Sequence, residues 1–272
     1  MSAPAGTGVA SGVGWYVYGV VDADAEPPAG HVETLRQGSL AALVSHVDLD
    51  EFGEEPVRER LEDPAWLEEK VRAHETVLDA ALASGAVVPF RFLTVYRDES
   101  ELRSFLETRG DQLRSVLDRI RGMVELGVKA FVDRAALERE LGGRSAAVAE
   151  LDAEIADAPV GRAYLLQRKR DEAARDEATR QLAEIARDSH ARLIAAADDG
   201  VANPVQKREL SGRSEDMLLN GAYLVPATDN HLEPELRALA ELYEPLGITF
   251  EQTGPWPPYN FVPRDLGADD AA

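Results

Sequence analysis

Met123-Val124-Glu125-Leu126-Gly127-Val128-Lys129-Ala130-Phe131-Val132 alternates with a period of two. Val124, Leu126, Val128, Ala130 and Val132 fall on one side, and Glu125, Gly127 and Lys129 on the other. Successive side chains of an extended chain point to opposite faces, so the stretch reads as a strand with one buried face. The rest of this half follows outward from it. Residues 135–197 are rich in Ala and charge and read as helix, split by Pro159-Val160-Gly161 into a hairpin over about residues 135–199. The second arm, 162–197, would span about 55 Å if unbroken. Its first half, 167–180, is nearly all charged or Ala and is expected to project into solvent; Leu182, Ile185, Leu193 and Ile194 give the second half something to pack. Residues 203–210, a Ser211-Gly212-Arg213-Ser214 turn and a strand at 217–225 come next. A helix at 232–246, with Leu236, Leu239, Ala240 and Tyr243 inward, and a last strand at 248–253 complete the half. Strand, helix, strand, strand, helix, strand is the order of a ferredoxin-like βαββαβ unit, here with the hairpin elaborating its first helix.

The N-terminal half reads as a mixed α/β domain. Trp15-Tyr16-Val17-Tyr18-Gly19-Val20-Val21 is aromatic and β-branched, which suits a central strand. Pro27-Pro28 lies in the loop that ends it, and residues 40–45 form a second strand. An acidic loop is expected over 48–63. Pro64 then opens a helix whose apolar face carries Leu67, Val71, His74, Leu78 and Leu82, and Gly85 stops it. Residues 87–95 form an extended run, with Pro89 marking an edge or a strand start. Ser100 or a neighbour caps a further helix with the stripe Leu102, Phe105, Leu106, Leu113, Val116, Leu117 and Ile120. The expected organisation is α+β with two domains. A disordered tail covers 1–13, the N-terminal domain 14–121, the C-terminal domain 122–262, and an acidic tail 263–272.

Charge removes several function classes. Net charge is −21 over 272 residues. Nucleic-acid affinity rests on cationic contacts to phosphate, so DNA and RNA are not expected partners. An anionic membrane would repel the chain, and no run approaches the roughly 20 apolar residues of a membrane helix. Cysteine is absent, which excludes disulfides and thiolate sites and suits a reducing compartment. The first 14 residues lack a basic segment and read as a flexible tail rather than a signal peptide.

Near the C-terminus, Thr253-Gly254-Pro255-Trp256-Pro257-Pro258-Tyr259-Asn260-Phe261-Val262 packs three prolines and three aromatics into ten residues. Proline fixes φ and restrains the residue before it, so this is a stiff strap presenting large rings at low entropic cost. Trp256 and Tyr259 suit either a plug for the domain core or a partner site, and the strap is expected to clasp the two domains together.

Chemical motifs are weak by comparison. His74-Glu75 lacks a metal-binding partner four residues on, where Leu78 stands, so His74 reads as a satisfied core histidine. The other histidines are dispersed, and no metal site is expected. Arg91, Glu125 and Lys129 suit structural ion pairs; Glu125 and Lys129 lie about 13 Å apart along one strand and cannot pair with each other. Gly161-Arg162-Ala163-Tyr164 opens a helix but falls far short of a phosphate loop. The charged arm at 167–180 is either a solvated face or a docking surface.

In order along the chain, six blocks together resemble the gas vesicle protein F/L family. They are Tyr16-Val17-Tyr18-Gly19-Val20, His74-Glu75 with Val88-Pro89-Phe90-Arg91-Phe92-Leu93-Thr94-Val95, and Glu125-Leu126-Gly127-Val128-Lys129. Gly161-Arg162-Ala163-Tyr164-Leu165, Asn220-Gly221-Ala222-Tyr223-Leu224-Val225 and Gly254-Pro255-Trp256-Pro257-Pro258-Tyr259-Asn260-Phe261 complete the set. Leu93 stands where the family often has Gly, and Leu126 where an aromatic is common. The resemblance implies a cytoplasmic, gas-vesicle-associated accessory protein with no enzymatic activity and no cofactor. It implies binding to the small, very hydrophobic vesicle wall protein during nucleation or growth, with other accessory proteins as further partners. Arg91, Glu125, Lys129, Tyr164, Trp256, Tyr259 and Phe261 are the partner-binding or interdomain candidates. A generic peptide-binding scaffold and a hydrolase on a ferredoxin-like fold are the alternatives.

Overall fold

In the computed structural model, which describes residues 12–28, 30–142, 145–206, 215–229 and 231–266, the chain divides into two units. One comprises Met1–Val124 with Trp256–Ala272, the other Glu125–Pro255. The strap from Trp256 onward therefore belongs with the first unit, not with the second, where the sequence places it.

The first unit is built on β1 (Val13–Asp22), ten residues long and buried along most of its length. The sheet order is β2 (Glu33–Gln37), β3 (Leu40–Asp48), β1, β4 (Val88–Pro89), with β5 (Val95–Tyr96) also paired to β1, all antiparallel. β2 is absent from the sequence expectation. It forms a hairpin with β3 through Gly38-Ser39, where Gly38 takes φ 60°. Gly-Ser between two short runs is a hairpin signal, but Glu33, Arg36 and Gln37 mask the strand by their polarity.

The register of β1 against β3 shifts between Val17 and Gly19, so Tyr18 is the extra residue of a bulge. The bulge assigns the side chains to two cores. Tyr16, Tyr18, Val21, Ala41 and Leu43 pack with Val77, Leu78 and Ala81 of α3 (Pro64–Ser84). Val17, Val20, Ala42 and Val44 pack with Leu102, Leu106, Leu113 and Leu117 of α4 (Glu99–Arg119). The two helices thus cover opposite faces of one sheet. Asp63 caps α3 by accepting from the Ala65 amide at 3.0 Å, with Pro64 pre-set at the first turn. α4 is capped by Asp98 rather than Ser100; Asp98 accepts from the Glu101 amide at 2.9 Å, and the Ser100 hydroxyl bonds to the same carboxylate.

Two further expectations fail here. The acidic loop at 48–63 contains two short helices, Leu49–Phe52 and Glu54–Arg60 (α1 and α2). Leu49, Phe52, Val57 and Leu61 recur near helical spacing beneath the charge, and that periodicity is the signal the acidity hides. The extended run at 87–95 is interrupted. Its two ends pair with β1, but residues 91–94 form a tight turn closed by the Thr94 amide to the Arg91 carbonyl at 3.2 Å.

The second unit has the sheet order β7 (Asp199–Ala202), β8 (Asp216–Pro226), β6 (Met123–Val132), β9 (Ile248–Trp256). β6 starts before the unit boundary and β9 ends beyond it. Leu126, Val128, Ala130 and Val132 are buried as the alternation requires. Gly127 admits the close approach of Thr253, whose Oγ1 would lie 2.5 Å from a Cβ there. The strand before β8 lies at Asp199–Ala202, earlier than the 203–210 segment the sequence favours. It is antiparallel to β8, Asp199 opposite Leu224. The Ser211–Ser214 turn lies outside the described residues.

The expected helical hairpin exists with a divided first arm. α5 (Arg134–Gly142) and α6 (Ala146–Ala156) both pack on α7 (Val160–Ala195), which runs unbroken for 36 residues. The charged half of α7 is not wholly solvated: Ala174 and Ala178 are buried, so small side chains let the arms approach closely. α8 (Leu232–Tyr243) completes the unit.

Candidate functional site: a groove beside the Arg91–Thr94 turn

The first unit's prominent concavity is a groove of about 570 Å³. Leu49, Phe52, Val57 and Leu61 from α1, α2 and the residue after them line it together with Phe92, Leu93 and Val95. Glu54, Arg58, Arg91, Arg97 and Glu101 stand on the rim. Arg58 pairs with Glu54 at 2.8 Å, and Glu101 accepts from the Arg97 amide at 3.0 Å.

A buried polar chain holds the turn against the sheet. The Leu93 amide donates to Tyr16 Oη at 3.2 Å, and Tyr16 Oη lies 2.9 Å from His74 Nδ1. His74 Nε2 lies 3.2 Å from the Phe90 carbonyl. A carbonyl can only accept, so Nε2 carries the proton and Nδ1 accepts from Tyr16. Every polar atom of the His74 ring is thereby satisfied, as the reading of a core histidine requires. Burial lowers the His74 pKa to about 4 and pushes the Tyr16 hydroxyl well above its usual value, so both are neutral near pH 7.

Leu93 takes φ 67° and is the one non-glycine residue at positive φ among those described. It sits third in the Arg91–Thr94 turn, where left-handed backbone is demanded. For a leucine this conformation costs about 1–2 kcal/mol. The turn is held in place by the Tyr16 contact, by Val17 N–H to the Thr94 carbonyl at 2.9 Å, and by Phe90 N–H to the Tyr18 carbonyl at 2.9 Å.

Of the sequence candidates, only Arg91 lines the groove. Arg91 is exposed on the groove rim. Glu125 is buried on β6, while Lys129 is half-buried and has no ion pair among the described residues, contrary to the structural pair expected for it. Tyr164 is 68% exposed on the first turns of α7, beside exposed Val160 and Leu165. In the strap, Trp256 is 41% exposed and Phe261 only 4%. Tyr259 donates to Glu75 Oε1 at 3.0 Å and packs against the α3 core. Burial, reinforced by the Glu75 carboxylate, raises the Tyr259 pKa; burial also raises that of Glu75. The sequence missed the α1–α2 wall of the groove, since it reads that segment as loop.

The family model described as "Gas vesicle synthesis protein GvpL/GvpF" matches residues 14–263. The chain belongs to the GvpL/GvpF family.

Among relatives of this GvpL/GvpF-family chain, gas vesicle protein L of a Streptomyces species is 35% identical over 237 residues, covering 87% of this chain and 84% of that one. Gas vesicle protein F2 of Halobacterium salinarum is 26% identical over 268 residues, covering 94% and 95%. The crystal structure of GvpF from Anabaena superposes with a TM-score of 0.69 at 16% identity, covering 92% of this chain and 98% of that one. That likeness extends the fold of mixed helix and sheet to both units. Within the GvpL/GvpF chain, the blocks that carried the resemblance meet in particular places. Tyr16, His74 and Phe90-Arg91-Phe92-Leu93-Thr94-Val95 converge on the groove turn, and Tyr259 joins them through Glu75.

Proposed function

We propose that this chain is a non-enzymatic accessory protein of gas vesicle formation that binds the small hydrophobic wall protein during nucleation or assembly, in the cytoplasm and at the vesicle. The family match over residues 14–263 is the observation that carries the reading. A hydrophobic subunit needs its apolar surface covered before it assembles, and an acidic carrier stays soluble while covering it. The groove offers such cover, with seven apolar side chains on its walls. Other vesicle accessory proteins are further partners in this reading, and exposed Tyr164 is a candidate contact for them. The rest of the candidate set divides between partner contact (Arg91, Trp256) and support of the fold (Glu125, Lys129, Tyr259, Phe261).

The architecture we propose for the second unit is ferredoxin-like. The order β7-β8-β6-β9 supports it: numbered within the unit it runs two, three, one, four, as the βαββαβ connection gives. Among the described residues no group of three or more His, Asp or Glu side chains could hold a metal. Co-purification with the wall protein at moderate salt tests the function. The expected result is a soluble complex. Wall protein that is equally insoluble and unbound with and without this chain would refute the proposal.

A further inference from the structure

The first turns of α7 expose apolar side chains together with unpaired cations. Val160 is 91% exposed, Tyr164 68% and Leu165 59%. Tyr164 and Leu165 follow Val160 by four and five residues, so the three share the outer side of the helix. Single exposed apolar residues are ordinary, whereas a group of them marks a contact surface. From Ala158 to Arg170 the chain has four cations and no carboxylate, although the whole sequence holds 50 Asp and Glu against 29 Lys and Arg. Arg162 reaches Glu154 at 3.6 Å and Arg170 reaches Asp152 at 3.1 Å. Arg168, Lys169 and Arg175 are exposed and make no ion pair among the described residues. They line a cleft of about 680 Å³ with Leu165 and Leu166, and Glu172 is the one carboxylate beside them that is likewise unpaired.

The same sequence supplies the complement. Glu55, Glu59 and Glu62 are spaced by four and three residues, so they share one side of α2 and of the turn that follows it. All three are exposed and make no ion pair among the described residues, and Leu61 beside them is 46% exposed. Like charges four apart on a helix repel by about 0.2–0.5 kcal/mol. The acidic row therefore gains from cations brought to it. Seven positions separate Glu55 from Glu62 and Arg168 from Arg175, about 10 Å of helical rise in each case. The two rows match in length, oppose in sign, and each has a leucine alongside.

We propose that the α7 surface docks on the α2 row of a second copy of this chain. Tyr164 and Leu165 meet Leu61, and Arg168, Lys169 and Arg175 meet Glu55, Glu59 and Glu62. The two surfaces differ, so the contact is head-to-tail. Each pair of copies leaves one surface of each kind open, and association continues to a ring or an open chain instead of stopping at a dimer. The proposal is independent of how the chain meets the wall protein.

Sedimentation velocity of the full-length chain tests it, over about 1–200 μM, the range suited to a small charged contact. The average mass should rise with concentration at about 50 mM salt and return to that of the monomer at about 1 M, where screening acts within about 3 Å. Arg168→Glu with Lys169→Glu should weaken association by about tenfold or more, and so should Glu55→Lys with Glu59→Lys, because each turns attraction into repulsion. Mixing the two double variants should restore association, since the acidic α7 surface of one then meets the basic α2 row of the other. Restoration also shows that both variants are folded. Tyr164→Ser with Leu165→Ser should weaken association at either salt concentration without lowering the melting temperature. A wild-type chain that stays monomeric across the range at low salt overturns the proposal. So does association that survives either charge reversal, or a mixture of the two reversed variants that stays monomeric.

Discussion

His74 shows how one residue couples the core of the first unit to pH. Its ring is 1% exposed and bonded on both nitrogens in the neutral form, with a pKa lowered to about 4. In the unfolded chain a histidine titrates near 6.5. The folded pKa lies below the unfolded one, so the stability held in the neutral ring is complete above about pH 6.5. It is lost as pH falls towards 4, because only the unfolded chain binds the proton across that window. The loss comes to about 3 kcal/mol. Denaturant midpoints at pH 7, 5 and 4 should follow this slope, and His74→Gln should show a slope shallower by one proton. An unchanged slope in that variant would mean that other groups carry the acid sensitivity. The placement of His74 on an apolar helix face was legible in the sequence. Its partners Tyr16 and Phe90 lie 58 and 16 residues away and were not.

The strap illustrates the element scale. Its stiffness is local, since Pro255, Pro257 and Pro258 restrain themselves and the residues before them. Which ring is buried is not local. Trp256 is 41% exposed, whereas Phe261 is 4% exposed inside the first unit. The larger ring is therefore the less important one for stability. Phe261→Ala should cost about 3–5 kcal/mol, in the range for truncating a buried aromatic. Trp256→Ala should cost less than about 1 kcal/mol, as for a surface position. Chemical denaturation of the two variants checks the order, and equal losses would place Trp256 in the fold rather than on a surface. α7 makes the same point: a run nearly all charge or alanine looks solvated, yet Ala174 and Ala178 are buried. Alanine contributes little to an apolar periodicity, so a helix contact made by alanines leaves a faint trace in sequence.

For the whole molecule, the chain leaves the first unit at Val124 and returns to it at Trp256. Tyr259, Phe261 and Leu266 supply side chains to that unit from the far end of the sequence. Each contributes about 2 kcal/mol by burial. Their joint loss is then comparable to the whole stability of a small domain, about 5–15 kcal/mol. A chain ending at Pro255 should lose hydrogen-exchange protection in α3 and α4 while β7 and β8 of the second unit keep theirs. Retained protection in α3 and α4 would show that the returning segment is dispensable to the first unit.

What the sequence alone determined are the features set by neighbours a few residues apart. The strands at Val13–Asp22 and Met123–Val132, the helix begun by Asp63-Pro64, the long arm after Pro159 and the stiffness of the strap all follow from periodicity, caps and proline geometry. The ordered blocks were enough to reach the family. Tertiary structure alone decided that polar Glu33–Gln37 pairs as an edge strand, that α1 and α2 fold beneath an acidic segment, and that Leu93 adopts φ 67°. It also decided that the strap returns to the first unit. Each of these depends on partners distant in sequence: β3 for the strand, Trp66 and the groove wall for the helices, the Tyr16 hydroxyl for the turn, and Glu75 for the strap. Local propensity at those positions is weak or opposed to the outcome, so the energy of long-range contacts sets the conformation.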